Sequence, residues 1–310
     1  MKILIAHQIP RSPFANVPAD WTVTFPEDGQ EKFSPEHLRE LISDYDALLS
    51  FFTDPVPNEV IDAGRNLKLI SNFGAGFNNI DTAYARSKNI AVTNTPKAVC
   101  NPTAEHAMAL MLAVCRRIGE MNIKIRLQKE ALWKTDTLGH TLEGKTLGII
   151  GMGRIGQNLA KKAEVFGMNV IYCNRHTEVP GYKRVDMDTL LAQADVVSVH
   201  VPLNAQNTHL IGAEEFRKMK STAYFINTAR GAVVDEAALA QALESGQIAG
   251  AGLDVFEKEP VVNEKLYMLS NVVLVPHIGT ATHETREATS AEALGNIISF
   301  FAGKPVNVVN

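Results

Sequence analysis

Short apolar blocks alternate with longer stretches in which apolar residues recur at helical spacing. Lys2–Ala6, Ala47–Phe51, Leu67–Asn72 and Ile90–Asn94 are β-rich runs. Between them Pro35–Ser43, Asn58–Ala63 and Thr82–Ser87 read as helices, with Ser34 and Asp81 placed to cap the first and the last. This rhythm predicts a parallel sheet with helices on both faces. Asn101-Pro102-Thr103 opens a further helix whose body, Ala104–Arg117, is apolar almost all round. Such a helix is buried on several sides, between domains or in a subunit interface. The polar stretch Leu127–Glu143, which contains Trp133, Gly139 and His140, predicts irregular chain.

From Thr146 the rhythm restarts. Strands are expected at Leu147–Ile150, Asn169–Cys173, Val196–Val199, Ala223–Asn227, Gly250–Asp254 and Val272–Val275. Helices are expected at Ile155–Phe166, Met187–Ala194, Ala213–Lys218 and Glu236–Glu244. That is enough for a doubly wound dinucleotide-binding domain. A last helix near Glu284–Phe301 has Ala288, Ala291, Leu294, Ile298 and Phe301 at helical spacing. It is expected to cross back, so that Pro305–Asn310 rejoins the first domain. The fold class is thus α/β with two doubly wound parallel sheets. A Rossmann-type domain, 100–284, is inserted in a flavodoxin-like domain made of 1–99 and 285–310, with a cleft between the lobes.

The turn after the fifth block narrows the chemistry. In TLGIIGMGRIGQNLA (146–160) a buried strand runs into Gly151, Gly153 and Gly156 and then into a helix. Gly151 permits the sharp turn, Gly153 lets backbone approach a pyrophosphate, and Gly156 seats the helix on the sheet. Free N–H groups at the positive end of that helix then face phosphates.

Composition removes other classes. The 310 residues, 45% hydrophobic and 21% charged, suit about two globular domains. A net charge of −4 offers no basic surface for nucleic acid. MKILIAHQIP is too short an apolar run for a signal peptide, and Ala107–Cys115 is far short of a membrane span. Cys100, Cys115 and Cys173 have neither metal-type nor disulfide-framework spacing, which suits a reducing cytoplasm. No pair of histidines has spacing that argues for a metal.

Three charged residues fall just past strand ends: Arg230 after AYFINTA, Glu259 after AGLDVFEKE and His277 after VVLVP. In α/β sheets ligands sit beyond the carboxyl ends of the strands, so all three surround one crevice beside the glycine turn. Each alone reads as a solvated loop charge or a core histidine; together they form the set that hydride transfer to a 2-oxo acid needs. A guanidinium holds the carboxylate and polarises the carbonyl, an imidazole gives a proton to the developing alkoxide, and a carboxylate keeps that imidazole protonated and oriented.

With these residues the chain resembles the D-isomer-specific 2-hydroxyacid dehydrogenase family, and within it the glyoxylate/hydroxypyruvate reductases. The resemblance rests on NFGAGFNNID (72–81), NPTAEHAMALML (101–112), LGIIGMGRIGQNLA (147–160), HVPL (200–203), FINTARGAVVDEAAL (225–239), AGLDVFEKEP (251–260) and PHIGTATHETR (276–286). It implies a discontinuous substrate lobe, a homodimer formed through the cofactor domains, and His277 as the proton donor. It also implies that the N–H groups of Ala75 and Gly76 bind the substrate carboxylate, which small residues after a strand permit on their own account. By position, Thr103, Arg154, Ile155, Asn174, Val201, Pro202, Thr228, Ala229 and Gly279 are candidate cofactor contacts, with Asp254 taking the nicotinamide amide. Phe51 and Phe52 either wall a small pocket beside Ala75 or belong to the core.

Cofactor choice can be read from the second strand of the inserted domain. NVIYC is followed by Asn174-Arg175-His176, and no acid appears before Glu178. An acid there would take the ribose of NAD and repel a 2′-phosphate; Arg175 would pair with the phosphate, or else stack on adenine or point to solvent. The expectation is NADP(H) before NAD(H), in a cytoplasmic reductase of glyoxylate, hydroxypyruvate or a related 2-oxo acid. The alternative in the same class is an NAD-dependent dehydrogenase such as D-3-phosphoglycerate dehydrogenase. Against it stand the lack of a basic cluster for a substrate phosphate and of a segment after Asn310 for a regulatory domain. A nucleotide-sensing corepressor is the alternative from another class.

Overall fold

The structure is a computed structural model that describes all residues except 130 and 132. It divides into two compact units, Met1–Val99 with Ala281–Asn310, and Cys100–Thr280. The smaller unit holds β1 (Lys2–Ile5), β2 (Thr22–Thr24), β3 (Ala47–Phe51), β4 (Leu69–Phe73) and β5 (Ala91–Thr93), all parallel in the order β2-β1-β3-β4-β5. That is the flavodoxin-like order. Helices α1 (Pro35–Leu41), α2 (Asn58–Ala63) and α3 (Thr82–Ser87) connect the strands, and Ser34 and Asp81 cap α1 and α3 as the sequence predicts. The core of β4 is buried on both faces, as a central parallel strand requires. β2 escapes sequence reading because Thr-Val-Thr on a sheet edge has too little apolar content to register.

The larger unit begins with α4 (Cys100–Cys115) and α5 (Ile118–Gln128). It continues through β6 (Thr146–Ile150), α6 (Arg154–Val165), β7 (Asn169–Cys173), β8 (Lys183–Arg184), α7 (Met187–Gln193), β9 (Val196–Val199) and α8 (Ala213–Lys218). β10 (Tyr224–Asn227), α9 (Glu236–Glu244), β11 (Gly250–Leu253), α10 (Glu264–Tyr267) and β12 (Val272–Leu274) complete it. The strand order β12-β11-β10-β9-β6-β7-β8 is the Rossmann arrangement with one strand added at the β12 edge. Its direction of winding reverses between β6 and β9, where such sheets open a crevice.

The apolar circumference of α4 is used up within this unit. Ala104, Ala107, Met108, Met111 and Val114 pack with α6 and the sheet. Gly250 and Gly252 make room for α4, since a Cβ on Gly252 would lie 3.0 Å from that of Leu110. α5 is not evident in the sequence. It follows a left-handed Arg117, whose guanidinium holds Glu120 at 2.7 Å through both Nε and Nη2, and it buries none of its residues. Beyond it, among the described residues, lies a single turn of 3-10 helix, Thr135–Thr137. Residues 130 and 132 of that polar stretch lie outside the described residues. No helix among the described residues is long and apolar enough to cross a membrane.

The chain then returns to the smaller unit as α11 (His283–Phe301), capped by Thr282. Ala293, Leu294 and Ile297 enter the core beneath Ile3, Leu49 and Phe73. Asn296, buried on the same helix, donates to the carbonyl of Asn94 at 2.8 Å and accepts from Asn307 at 2.9 Å, tying helix, sheet edge and tail together. Asn296→Ala leaves both partners without their bond. It should destabilise this unit by about 1–3 kcal/mol, read as a lowered denaturant midpoint, whereas Glu284→Ala on the exposed first turn should change it little.

Candidate active site

At the carboxyl end of β6, Gly151 turns the chain with φ +97°, in the region that favours glycine. A Cβ there would meet the backbone of His200 at 2.8 Å, so β6 and the chain leaving β9 stand close at the switch point. Gly153 begins α6 without a side-chain cap, and a Cβ on it would touch nothing within 4 Å. An open face and an uncapped helix N-terminus together fit the phosphates of a dinucleotide. Arg154 is exposed in the first turn, and Ile155 packs toward the core. Val201 leans on Gly151. His200, half-buried before it, has its imidazole pushed down to about 4 by desolvation, so it is neutral and places no cation in the crevice.

Asn174 has a structural duty that its position did not reveal: its Oδ1 accepts the Met152 N–H at 2.7 Å, inside the glycine turn. Arg175 is held by two neutral amides, Nη1 donating to Gln206 Oε1 at 2.6 Å and Nη2 to Asn207 Oδ1 at 2.7 Å. Asn207 is buried and in turn donates to the Pro202 carbonyl at 2.8 Å. Arg184 donates to the carbonyls of Asn174 and Arg175 and so fixes the loop from behind. A hollow of ≈ 710 Å³ beside Asn174 is lined in part by Cys173, Arg184, Val185 and Met187.

Beyond β10 the side chain of Asn227 braces the next turn, accepting from Ala229 N–H at 3.0 Å and donating to the Arg230 carbonyl at 3.1 Å. Thr228 Oγ1 is buried and has no hydrogen-bond partner among the described residues, a polar atom that a cofactor group would satisfy. The Arg230 guanidinium donates to Ala229 O at 2.7 Å. Burial lowers its pKa, opposed by the charge of Glu259. A Cβ on Gly231 would fall 1.8 Å from the Phe256 carbonyl carbon, so only glycine lets the Arg230 turn lie on the backbone that leads to Glu259.

Asp254 anchors the third turn. Its backbone carbonyl accepts from His277 N–H at 2.8 Å, Oδ1 from Ile278 N–H at 2.7 Å and Oδ2 from Gly279 N–H at 2.9 Å. His106 Nε2, on α4, stands 3.3 Å from Oδ1, near enough for an ion pair but not aligned as a hydrogen bond. Thr103 lies near Gly279 on the same side. His277 is thereby held in the left-handed region at φ +53°, with Nδ1 2.9 Å from Glu259 Oε2. Burial pushes the Glu259 carboxyl up. The His277 bond and charge, the Phe256 N–H and the Arg230 charge outweigh it and leave the group below its ordinary value. Arg230, Glu259 and His277 are therefore electrostatically connected within one unit. Asp254, expected to take a carboxamide, already accepts a backbone bond on each oxygen; each keeps a second lone pair.

In the smaller unit, Asn94 and Asn72 pin the carbonyls of Ala75 and Gly76 at 2.7 and 2.8 Å. Among the described residues nothing accepts from the N–H groups of Ala75 or Gly76. Phe51 and Phe52 are half-buried at the edge of the core, with ring centroids 4.7 Å apart.

Residues 108–279 match the family model described as D-isomer specific 2-hydroxyacid dehydrogenase, NAD binding domain. The whole chain is 44% identical to a glyoxylate reductase of Thermococcus litoralis, covering 96% of it. Among solved structures it is similar to a glyoxylate reductase from Paecilomyes thermophila, with TM-score 0.91 and 38% identity over 100% of this chain and 98% of that one. It is also similar to an NADPH-dependent glyoxylate/hydroxypyruvate reductase from Sinorhizobium meliloti, solved with NADP and malonate, with TM-score 0.88 and 30% identity over 99% and 96%. With a matching cofactor-domain model and relatives similar from end to end, the chain belongs to the D-isomer specific 2-hydroxyacid dehydrogenase family and takes a nicotinamide dinucleotide.

Proposed function

We propose that this chain reduces a small 2-oxo acid of the glyoxylate/hydroxypyruvate type to the D-2-hydroxy acid, with NADPH preferred to NADH. The observation that carries the reading is the 2.9 Å bond between His277 Nδ1 and Glu259 Oε2 on a turn anchored by Asp254. It orients the imidazole and sets a negative charge beside it. His277 acts as general acid, giving the proton on Nε2 to the carbonyl oxygen as it becomes an alcohol. Glu259 stays ionised and supplies the counter-charge. Arg230 holds the carboxylate and polarises the carbonyl with a planar, permanently charged fork. The N–H groups of Ala75 and Gly76 are the carboxylate donors of the smaller unit, and Phe51 and Phe52 border them. A bound reduced nicotinamide dinucleotide supplies the hydride.

Gly151, Gly153, Arg154, Ile155 and Gly156 would hold its phosphates, and Thr103, Thr228, Ala229, Asp254 and Gly279 its nicotinamide half. Asn174, Arg175, Val201 and Pro202 would hold its adenosine half. The preference for NADPH rests on Arg175: among the described residues its side-chain partners are two neutral amides and no carboxylate pairs with it, so N–H groups remain for a 2′-phosphate.

We further propose a homodimer formed through α5 and the stretch after it. Ile118, Ile123, Ile125, Leu127, Trp133 and Leu138 are exposed there, a run of apolar side chains that a second copy would cover. A cytoplasmic setting accords with the reduced thiols of Cys115 and Cys173.

Consumption of reduced cofactor should be seen with glyoxylate or hydroxypyruvate, with kcat/KM about tenfold or more higher for NADPH than for NADH. Arg175→Asp should invert or abolish that ratio. No turnover with any 2-oxo acid rejects the reductase, and a preference for NADH, or a ratio unmoved by Arg175→Asp, rejects the role of Arg175. Sedimentation should return the mass of two 33.9 kDa chains, falling to one in Ile123→Asp/Leu127→Asp; a wild-type monomer rejects the dimer.

A further inference from the structure

In the smaller unit the ends of β3 and β4 present three aromatic rings. Phe51 stacks on Phe73 with centroids 5.3 Å apart and leans on Phe52 at 4.7 Å. The guanidinium of Arg286, in the first turns of α11, lies over all three, 5.4, 5.6 and 5.8 Å from the centroids of Phe51, Phe52 and Phe73. The rings satisfy the face of this cation. Its edge is another matter. Among the described residues no carboxylate pairs with Arg286, and no oxygen accepts from its N–H groups. The adjacent acid, Glu287, is bonded to Ser12. Burial has lowered the pKa of Arg286 from the ordinary arginine value, yet a guanidinium remains charged at any physiological pH. A half-buried, weakly hydrated cation with five donors and no acceptor is suited to receive one.

The platform is shared with the carboxylate-binding turn. A Cβ on Gly74 would lie 2.7 Å from Phe52 Cβ, so the 74–76 turn rests on the same ring that Arg286 covers. The N–H groups of Ala75 and Gly76 and the edge of Arg286 are therefore two donor sets carried on one aromatic surface. Phenyl rings exclude water from that surface, which strengthens a hydrogen bond made there and penalises a donor left without one.

We propose that Arg286 is a specificity-determining residue that takes an oxygen acceptor on the third carbon of the substrate, the hydroxyl of hydroxypyruvate or a second carboxylate, while Ala75 and Gly76 hold the first carboxylate. The assignment rests on the reading of the chain as a 2-oxo acid reductase. Pyruvate, which puts a methyl group in the same place, leaves the guanidinium desolvated without an acceptor and is disfavoured. Glyoxylate has no third carbon and does not reach Arg286.

The test compares kcat/KM for hydroxypyruvate, pyruvate and glyoxylate in the wild type and in Arg286→Gln. Arg286→Met serves as a second variant, because its thioether packs on the same rings if the glutamine variant folds poorly. In a variant with wild-type melting temperature, the hydroxypyruvate-to-pyruvate ratio should fall about tenfold or more, chiefly through KM for hydroxypyruvate. Glyoxylate efficiency should change less than about threefold. An unchanged ratio in a folded variant, or an equal loss with all three substrates, overturns the assignment. If the wild type turns over none of the three, it is the reductase reading that fails.

Discussion

A buried carboxylate holding a left-handed histidine is the constraint on which the larger unit's chemistry depends. Asp254 is buried at the end of β11, and an ionised carboxyl there is tolerable only if its oxygens are satisfied. The N–H groups of Ile278 and Gly279 satisfy them, and the Asp254 carbonyl takes the N–H of His277. These bonds, two of them to a charged acceptor, offset the roughly 1–2 kcal/mol cost of a non-glycine residue in the left-handed region. The unusual backbone conformation turns the imidazole toward Glu259. The same turn is joined to Arg230 through the contact of Gly231 with the Phe256 backbone, which a single methyl group would break. Three residues far apart in sequence are placed by backbone geometry rather than by side-chain packing alone.

Much of this was legible in the sequence because the site lies where parallel sheets put their ligands. Apolar blocks at 147–150, 196–199, 223–227 and 250–254 register as strands because they are buried on both faces, and the residues just past them follow by position. The elements that escaped have weak signals for stated reasons. β2 and β8 are short, polar edge strands, α10 is a single turn, and α5 buries nothing and so has no apolar stripe. The apolar helix body expected at Ala104–Arg117, between domains or in a subunit interface, falls in α4, where it packs on α6 and on its own sheet.

Within the site, charged residues just past strand ends are easier to read from the sequence than the residues that hold others in place. Asn227, Gln206 and Asn207 act through amide contacts with backbone or with Arg175, and nothing in their spacing marks them. The bond from Met152 to Asn174 is equally silent, since it depends on how closely β6 and β7 lie. Arg286 stands at the end of a recognisable segment, but its meaning comes from three phenylalanines drawn together from two strands. Pairing along a sheet is predictable from alternation and burial; convergence of side chains from separate loops is not.

Turnover of Glu259→Gln tests most directly whether the carboxylate–imidazole bond supports proton donation. The substitution keeps an acceptor oxygen 2.9 Å from His277 Nδ1 but removes the negative charge that faces the imidazole. The account therefore predicts that kcat for glyoxylate reduction falls about tenfold or more, with cofactor affinity unchanged by fluorescence titration. A kcat that stays at the wild-type value would contradict it.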